Sequence, residues 1–383
     1  MTGVAQTADA ADGRPNALTV DLAAIRDNLR LIRSGLDEGF TIVASLKANA
    51  YGFGLLGVVE AVLAGGANAV AVASVDDAIA LRSSGVRVPI LLYGGTRPGP
   101  RVIADVVAND LTVSILDEAD VRAYAAAGAR VRALVKVDVG LERLGGVPDE
   151  AVAVARRVHE EPGLDLAGVY THLHVPAGPL EEVSAYLEWQ FRCFVAAVAE
   201  LEAEGIRVPL RIAASSATLR LTDAMHLNGI DVGSVVYGVD TAGPVSREVG
   251  IRSALVGITS RLTQVRPRER TEFPRQSPIP TGRPMELGVI PFGASDGLLG
   301  ISTGAVLIRG RRAPILSISL EHARLDVTGI GAEAGDEVVI VGRQGGDEIS
   351  MRDVASANHL HSPGVVPALV GHGVPRRYVG GAV

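Results

Sequence analysis

The sequence predicts an α/β fold in which a (β/α)8, TIM-like barrel is followed by a mostly β C-terminal domain. Short apolar runs rich in Val, Ile, Leu and Ala alternate with helical periods through about residue 240. Eight such runs fit a closed barrel better than a doubly wound open sheet, which shares the same alternation. Past Gly243-Pro244 the long helical periods stop and strands separated by turns take over.

Taken in order, Met1 to Asn16 holds Thr, Ala, Asp, Gly and Pro without periodicity and reads as a disordered tail, 1–16. A helix starts at the capping residue Asp21 and runs into Leu22-Ala23-Ala24-Ile25-Arg26-Asp27-Asn28-Leu29. The eight candidate barrel strands are Ile42–Leu46, Ala69–Ala73, Pro89–Tyr93, Leu111–Leu116, Ala133–Val137, Gly168–Leu173, Leu210–Ala214 and Val232–Tyr237. Helical patterns lie between them, among them Val75 to Arg82 and the long Val183–Ala203 segment. These elements define a barrel over 17–245. The second domain, 246–383, carries candidate strands Ile258–Val265, Glu286–Pro291, Ala305–Ile308, Ile315–Leu320 and Glu337–Val341. Arg266 to Arg283, rich in Arg, Pro and Glu, reads as an exposed excursion.

Composition narrows the function classes. A net charge of −7 argues against nucleic acid or an anionic membrane as partner. Cys193 is the only cysteine, so no intrachain disulfide forms and a reducing, cytoplasmic setting is expected. The apolar, uncharged stretch Ala61 to Val75 is broken by Gly65, Gly66 and Asn68 and is shorter than the roughly 20 residues of a membrane helix.

The stretch that carries most chemistry is Lys47-Ala48-Asn49-Ala50-Tyr51-Gly52-Phe53-Gly54. Lys47 follows a β-branched run of the kind covered on both faces, so it stands at the C-terminal end of a buried strand, where barrel enzymes keep their active sites. Burial of an ammonium favours the neutral amine that condenses with an aldehyde. Gly52 and Gly54 let backbone approach a phosphate, and Tyr51 offers it a hydroxyl. Other polar residues fall at the same end of the predicted barrel. Lys136 and Asp138 alternate onto one strand face with Arg143 in the loop beyond, and His172 and His174 share a face by the same alternation. His172-x-His174 lacks nearby cysteines or spaced carboxylates and is not read as a metal site. Ser215-Ser216 precedes a predicted helix N-terminus suited to phosphate, and Asp231-Val232-Gly233-Ser234 begins the predicted last strand, where Gly233 allows close approach of an anion.

The Lys47 segment resembles the pyridoxal phosphate (PLP) lysine motif of alanine racemases, K-A-N-A-Y-G-H-G, with seven identities in eight positions. The resemblance runs in order over about residues 17 to 380. It implies a PLP-dependent enzyme acting at the α-carbon of an amino acid, with Lys47 forming the Schiff base. Tyr51, Ser215, Gly233 and Ser234 would surround the cofactor phosphate and His172 would pack against the pyridine ring. Arg143 matches an arginine near the cofactor's phenolic oxygen and the substrate carboxylate. Lys136 matches a position that some members carry as carbamylated lysine. The family also implies a head-to-tail homodimer whose β domain completes the partner subunit's active site.

Departures from the pattern are equally specific. The family's second acid/base is a tyrosine early in the β domain, whereas this chain has Glu272-Phe273-Pro274-Arg275-Gln276 there, and an arginine cannot act as a base. The family opposes the pyridine nitrogen with an arginine, but the matching residue is Asp231, a carboxylate that favours the protonated ring. Full delocalisation of the substrate carbanion into that ring, a quinonoid, suits racemisation or epimerisation of a non-alanine substrate. It also suits decarboxylation, aldol cleavage, elimination or transamination. Ala214 stands at a usual asparagine, Ser319-Leu320-Glu321-His322 replaces a C-M-D segment, and His372 replaces the tyrosine before Val374-Pro375-Arg376. His174, His322 and His372 are candidates for the missing proton carrier. His372 is also a candidate cofactor contact. A non-catalytic PLP-binding protein is the alternative from a different class.

Overall fold

A computed structural model describes residues 13–95, 97–176, 178–220, 223–239, 250–269 and 283–381. Two compact units emerge: Leu22–Ala254 with the residues from Gly380, and the stretch up to Asp21 with Leu255–Val379. Strand β1 (Ala17–Asp21), expected within the barrel segment, belongs to the second of these.

The first unit opens with helix α1 (Leu22–Ser34), which buries Ala24, Ile25, Asn28, Leu29 and Ile32 at helical spacing. Eight parallel strands then close a barrel: β2 (Thr41–Ser45), β3 (Ala69–Val72), β4 (Ile90–Leu92), β5 (Thr112–Ile115), β6 (Val131–Lys136), β7 (Leu164–Tyr170), β8 (Leu210–Ser215) and β9 (Gly229–Val232), with β9 pairing back to β2. Small and branched side chains fill the interior: Val43, Ala69, Ala71, Leu91, Leu134, Tyr170 and Ile212 pack as one cluster. Ser74 and Asp117 cap the helices that follow β3 and β5 by accepting backbone N–H bonds, so each crossover starts where its polar residue stands.

Two barrel strands differ from expectation. The eighth is Gly229–Val232, not Val232–Tyr237, so Asp231 sits within the strand and Ser234–Tyr237 forms a 3-10 turn. Gly233, at φ −122° and ψ −91°, breaks the extended path, and a fully buried run of Val235, Val236 and Tyr237 reads alike as strand or buried turn. The sixth, β7, ends at Tyr170 rather than Leu173, so strand alternation does not set the directions of His172 and His174. One further ladder bond, Thr171 N–H to Ile212 O at 2.8 Å, ends the pairing, and the main chain then leaves the sheet. The helix expected after Ser215-Ser216 is a single 3-10 turn, Thr218–Arg220.

The second unit is built on a sheet whose strands are ordered β11-β12-β15-β14-β13-β16-β10-β1-β18. They comprise β10 (Leu255–Arg261), β11 (Gln264–Arg268), β12 (Met285–Ile290), β13 (Ala305–Ile308), β14 (Arg311–Ile318), β15 (Ala323–Asp326), β16 (Glu337–Gln344), β17 (Asp347–Ile349, off β16) and β18 (Arg376–Val379). The expected run Ile258–Val265 is two strands, because the chain turns at Leu262-Thr263. The segment read as a disordered tail lies outside the described residues up to position 12. Beyond it, Arg14 donates to Asp296 Oδ2 at 2.8 Å and to Pro291 O at 2.5 Å, and buried Asn16 donates to Pro291 O at 2.6 Å. Gly243-Pro244 and most of the Arg266 to Arg283 excursion lie outside the described residues. Among the described residues no helix is long and apolar enough to cross a membrane.

Candidate active site

Lys47 follows β2 at the C-terminal mouth of the barrel and is half-buried. The turn after it is left-handed: Ala48, Asn49, Ala50 and Tyr51 have φ of 53°, 54°, 54° and 55°. L-residues pay roughly 1–2 kcal/mol each for this conformation, so the surroundings must hold it. They do so through Gly52, itself at φ 87°, whose N–H donates to Ala48 O at 2.9 Å, and through Asn49 Oδ1, which accepts from Leu55 N–H at 2.7 Å. Phe53, where the family motif has histidine, is fully buried and stacks on Tyr237 with centroids 4.8 Å apart and planes 7° from parallel.

The Tyr51 ring, carried by that turn, lies 5.6 Å from Lys47 Nζ and reaches Gly233. A Cβ at position 233 would fall 2.1 Å from the Tyr51 hydroxyl oxygen, so the close approach exists only because residue 233 is glycine. Ser216 Oγ accepts the Gly233 N–H at 2.8 Å, which leaves its own hydroxyl proton to be donated. Ser215, the serine singled out from the sequence, instead gives its N–H to Thr218 Oγ1 at 2.8 Å. Ser234 is buried at the start of the 3-10 turn.

Tyr93, just past β4, donates its hydroxyl to Asp231 Oδ1 on β9 at 2.7 Å, and its ring centroid lies 5.9 Å from Lys47 Nζ. Burial raises the Asp231 carboxyl, opposed by the Tyr93 hydrogen bond and by the charges of Lys47 and Lys136. Lys136, at the end of β6, is buried, with Nζ 4.4 Å from the Tyr170 ring centroid. Burial lowers its ammonium to about 7, with Arg143 and Lys47 pushing the same way. Tyr170 in turn shares a 2.7 Å hydrogen bond with Ser114.

Asp138 does not stand as an ion-pair partner in a strand face. Its carboxylate gathers the loop beyond it, accepting from the N–H groups of Gly140 and Leu141 at 2.9 Å and of Glu142 and Arg143 at 3.2 Å. This fixes the root of exposed Arg143, whose charge acts on Lys136 and His172. Burial, with Lys136, Lys47, Arg143 and His174 acting in the same direction, lowers His172 to about 3, so its imidazole is neutral at physiological pH. His174 is held by its backbone, which exchanges two 2.9 Å hydrogen bonds with the Gln190 side chain, while its ring meets the Tyr186 edge.

The barrel mouth thus gathers Lys47, Tyr51, Lys136, Arg143, His172, His174, Asp231 and Gly233. His322 and His372 occupy exposed turns of the sheet unit. Glu272 to Gln276, where the family's tyrosine belongs, lies outside the described residues. Sequence reasoning missed Tyr93 and, of the pair Ser215-Ser216, singled out only Ser215. Tyr93 closes a predicted strand and could have been found by asking which residues end barrel strands; the choice between two adjacent serines carries no local signal.

Fold and site define a barrel enzyme of the PLP-dependent class: an amine at the mouth, a glycine cradle beside a tyrosine hydroxyl and a serine, and a carboxylate fixed across the barrel fit the aldehyde, phosphate and ring nitrogen of that cofactor. Residues 20–241 match the alanine racemase N-terminal domain family and residues 259–378 the alanine racemase C-terminal domain family. The chain is 33% identical to an alanine racemase of Desulfovibrio desulfuricans, over 96% of this chain and 98% of the relative. It is 35% identical to one of Desulfosudis oleivorans, over 95% and 96%. The solved alanine racemase from D-cycloserine producing Streptomyces lavendulae superposes with a TM-score of 0.83 at 27% identity, covering 97% of this chain and 98% of that one. The chain belongs to the alanine racemase family, whose members are PLP-dependent isomerases.

Proposed function

We propose that the protein is a PLP-dependent racemase or epimerase acting at the α-carbon of an amino acid other than alanine, in a reducing compartment such as the cytoplasm. The observation that carries this reading is Asp231, hydrogen-bonded by Tyr93 and electrostatically coupled to Lys47, at the position where the family places an arginine. PLP, when bound, supplies an electrophilic aldehyde and an electron-accepting ring. Lys47 Nζ is the nucleophile for that aldehyde and one proton carrier at the α-carbon. Tyr51, Ser215 and Ser216, Gly233 and Ser234 hold the phosphate, and Arg143 orients the substrate carboxylate. His172, neutral at physiological pH, packs against the ring rather than donating a proton there.

The second proton carrier is a histidine, either His174 or one of His322 and His372 delivered by the sheet domain of a second copy in a head-to-tail homodimer. Asp231 also favours a second reading: a carboxylate facing the ring nitrogen supports carbanion chemistry that ends in decarboxylation or aldol cleavage.

The test is α-proton exchange in deuterated buffer across a panel of amino acids, with chiral analysis of the products. Exchange with inversion on a non-alanine substrate supports the proposal. Release of carbon dioxide or an aldehyde selects the second reading. Absence of exchange with every amino acid, or a borohydride-reduced adduct on a side chain other than Lys47, overturns both.

A further inference from the structure

Resting on the placement of Asp231 toward the cofactor ring, we propose that Tyr93 is a positioning residue that locks the Asp231 carboxylate as an ionised acceptor and so keeps the pyridine nitrogen protonated. The two residues come from strands separated by β2 and β3 in the closed barrel, so the bond spans the mouth rather than a strand pair. The Tyr93 ring packs against the barrel-interior cluster that contains Val43 and Leu91, which holds the hydroxyl at a set height. Its hydrogen bond occupies Oδ1 and leaves Oδ2 as the oxygen for a cationic nitrogen.

Without that donor Asp231 moves further toward the protonated acid. Burial favours the protonated acid, and the groups opposing it are the Tyr93 hydroxyl, Lys47 and Lys136. Lys136 carries a full charge only below about pH 7. A neutral carboxylic acid donates to the ring nitrogen instead of accepting from it, and the ring loses its proton. A hydrogen bond to a charged group is strong enough to move such an equilibrium about ten- to hundredfold. No proton leaves the Tyr93 hydroxyl, whose own ionisation is pushed well up by burial and by Asp231.

Nitrogen NMR on protein reconstituted with 15N-labelled PLP tests this. The wild type is expected to show a protonated ring nitrogen across pH 6–9, and Asp231→Asn an unprotonated one. Tyr93→Phe is expected to show a nitrogen signal moved toward the unprotonated position throughout that range, because the shared proton then rests on Asp231. Incorporation of 4-aminophenylalanine at position 93, a near-isosteric and weaker donor, is expected to move the signal part of the way in the same direction and covers the case of a poorly folding Tyr93→Phe. An Asp231→Asn signal like the wild type's removes the placement of Asp231 itself. A normal Asp231→Asn response with a fully protonated nitrogen in both Tyr93 variants, even with weaker coenzyme binding, overturns the role of Tyr93 alone.

Discussion

The hydroxyl of Tyr51 occupies the space a side chain at Gly233 would take, 2.1 Å from where its Cβ would stand. One residue rides on the left-handed turn after Lys47 and the other on the break after β9, so the two loops are fitted to each other. Gly233→Ala is therefore expected to push Tyr51 out of place and weaken PLP binding by about tenfold or more, equivalent to ~1.4 kcal/mol. Fluorescence titration of the apo-protein reads this. Tyr51→Phe, which keeps the ring and removes only the hydroxyl, is expected to bind PLP more tightly than Gly233→Ala, and the reverse order would contradict the packing argument.

Phe53→Ala is expected to destabilise the fold by about 3–5 kcal/mol, because it empties a fully buried site and removes the ring stacked on Tyr237. Urea unfolding of the apo-protein is the measurement. A loss below ~1 kcal/mol would show that the stack does not support the anchor turn.

Buried Lys136 makes stability depend on pH in alkali. Its folded-state value is lowered to about 7, chiefly by burial, whereas an unfolded lysine holds its proton to about 10.4. Between those values the unfolded chain binds the extra proton, so this residue's penalty is greatest below the window and fades as pH rises through it. Lys136→Met is expected to flatten the stability curve there, by up to about 1.4 kcal/mol per pH unit. Parallel slopes for the two proteins would exclude a buried neutral amine at this position.

Asp138→Ala releases four backbone N–H groups of the loop that carries Arg143. The expected result is a fall in kcat/KM of about 10- to 100-fold, mostly through KM, with PLP affinity unchanged. An equal loss of coenzyme would place the loop's role elsewhere.

Local patterning made the barrel legible. β-branched runs and intervening helical periods report burial directly, which located β2 to β8 and the lysine at the end of β2. It failed where burial looks the same for different backbones, as at Val235-Val236-Tyr237, and where short strands such as β15 and β17 owe their existence to a neighbour. The motif at Lys47 was visible because its residues are contiguous. Its one mismatch, Phe53, found a reason only when Tyr237 proved to be stacked on it.

By itself the sequence determined the alternation that closes the barrel, the lysine, tyrosine and glycines at its mouth, and the carboxylate at 231, since each is written in adjacent residues. Tertiary structure alone decided that Tyr93 answers that carboxylate from 138 positions away, that Ser216 rather than its neighbour faces Gly233, and that Asp138 binds backbone rather than a cation. Hydrogen bonds of this kind depend on where the closed barrel brings distant strand ends together, and no local periodicity encodes that distance.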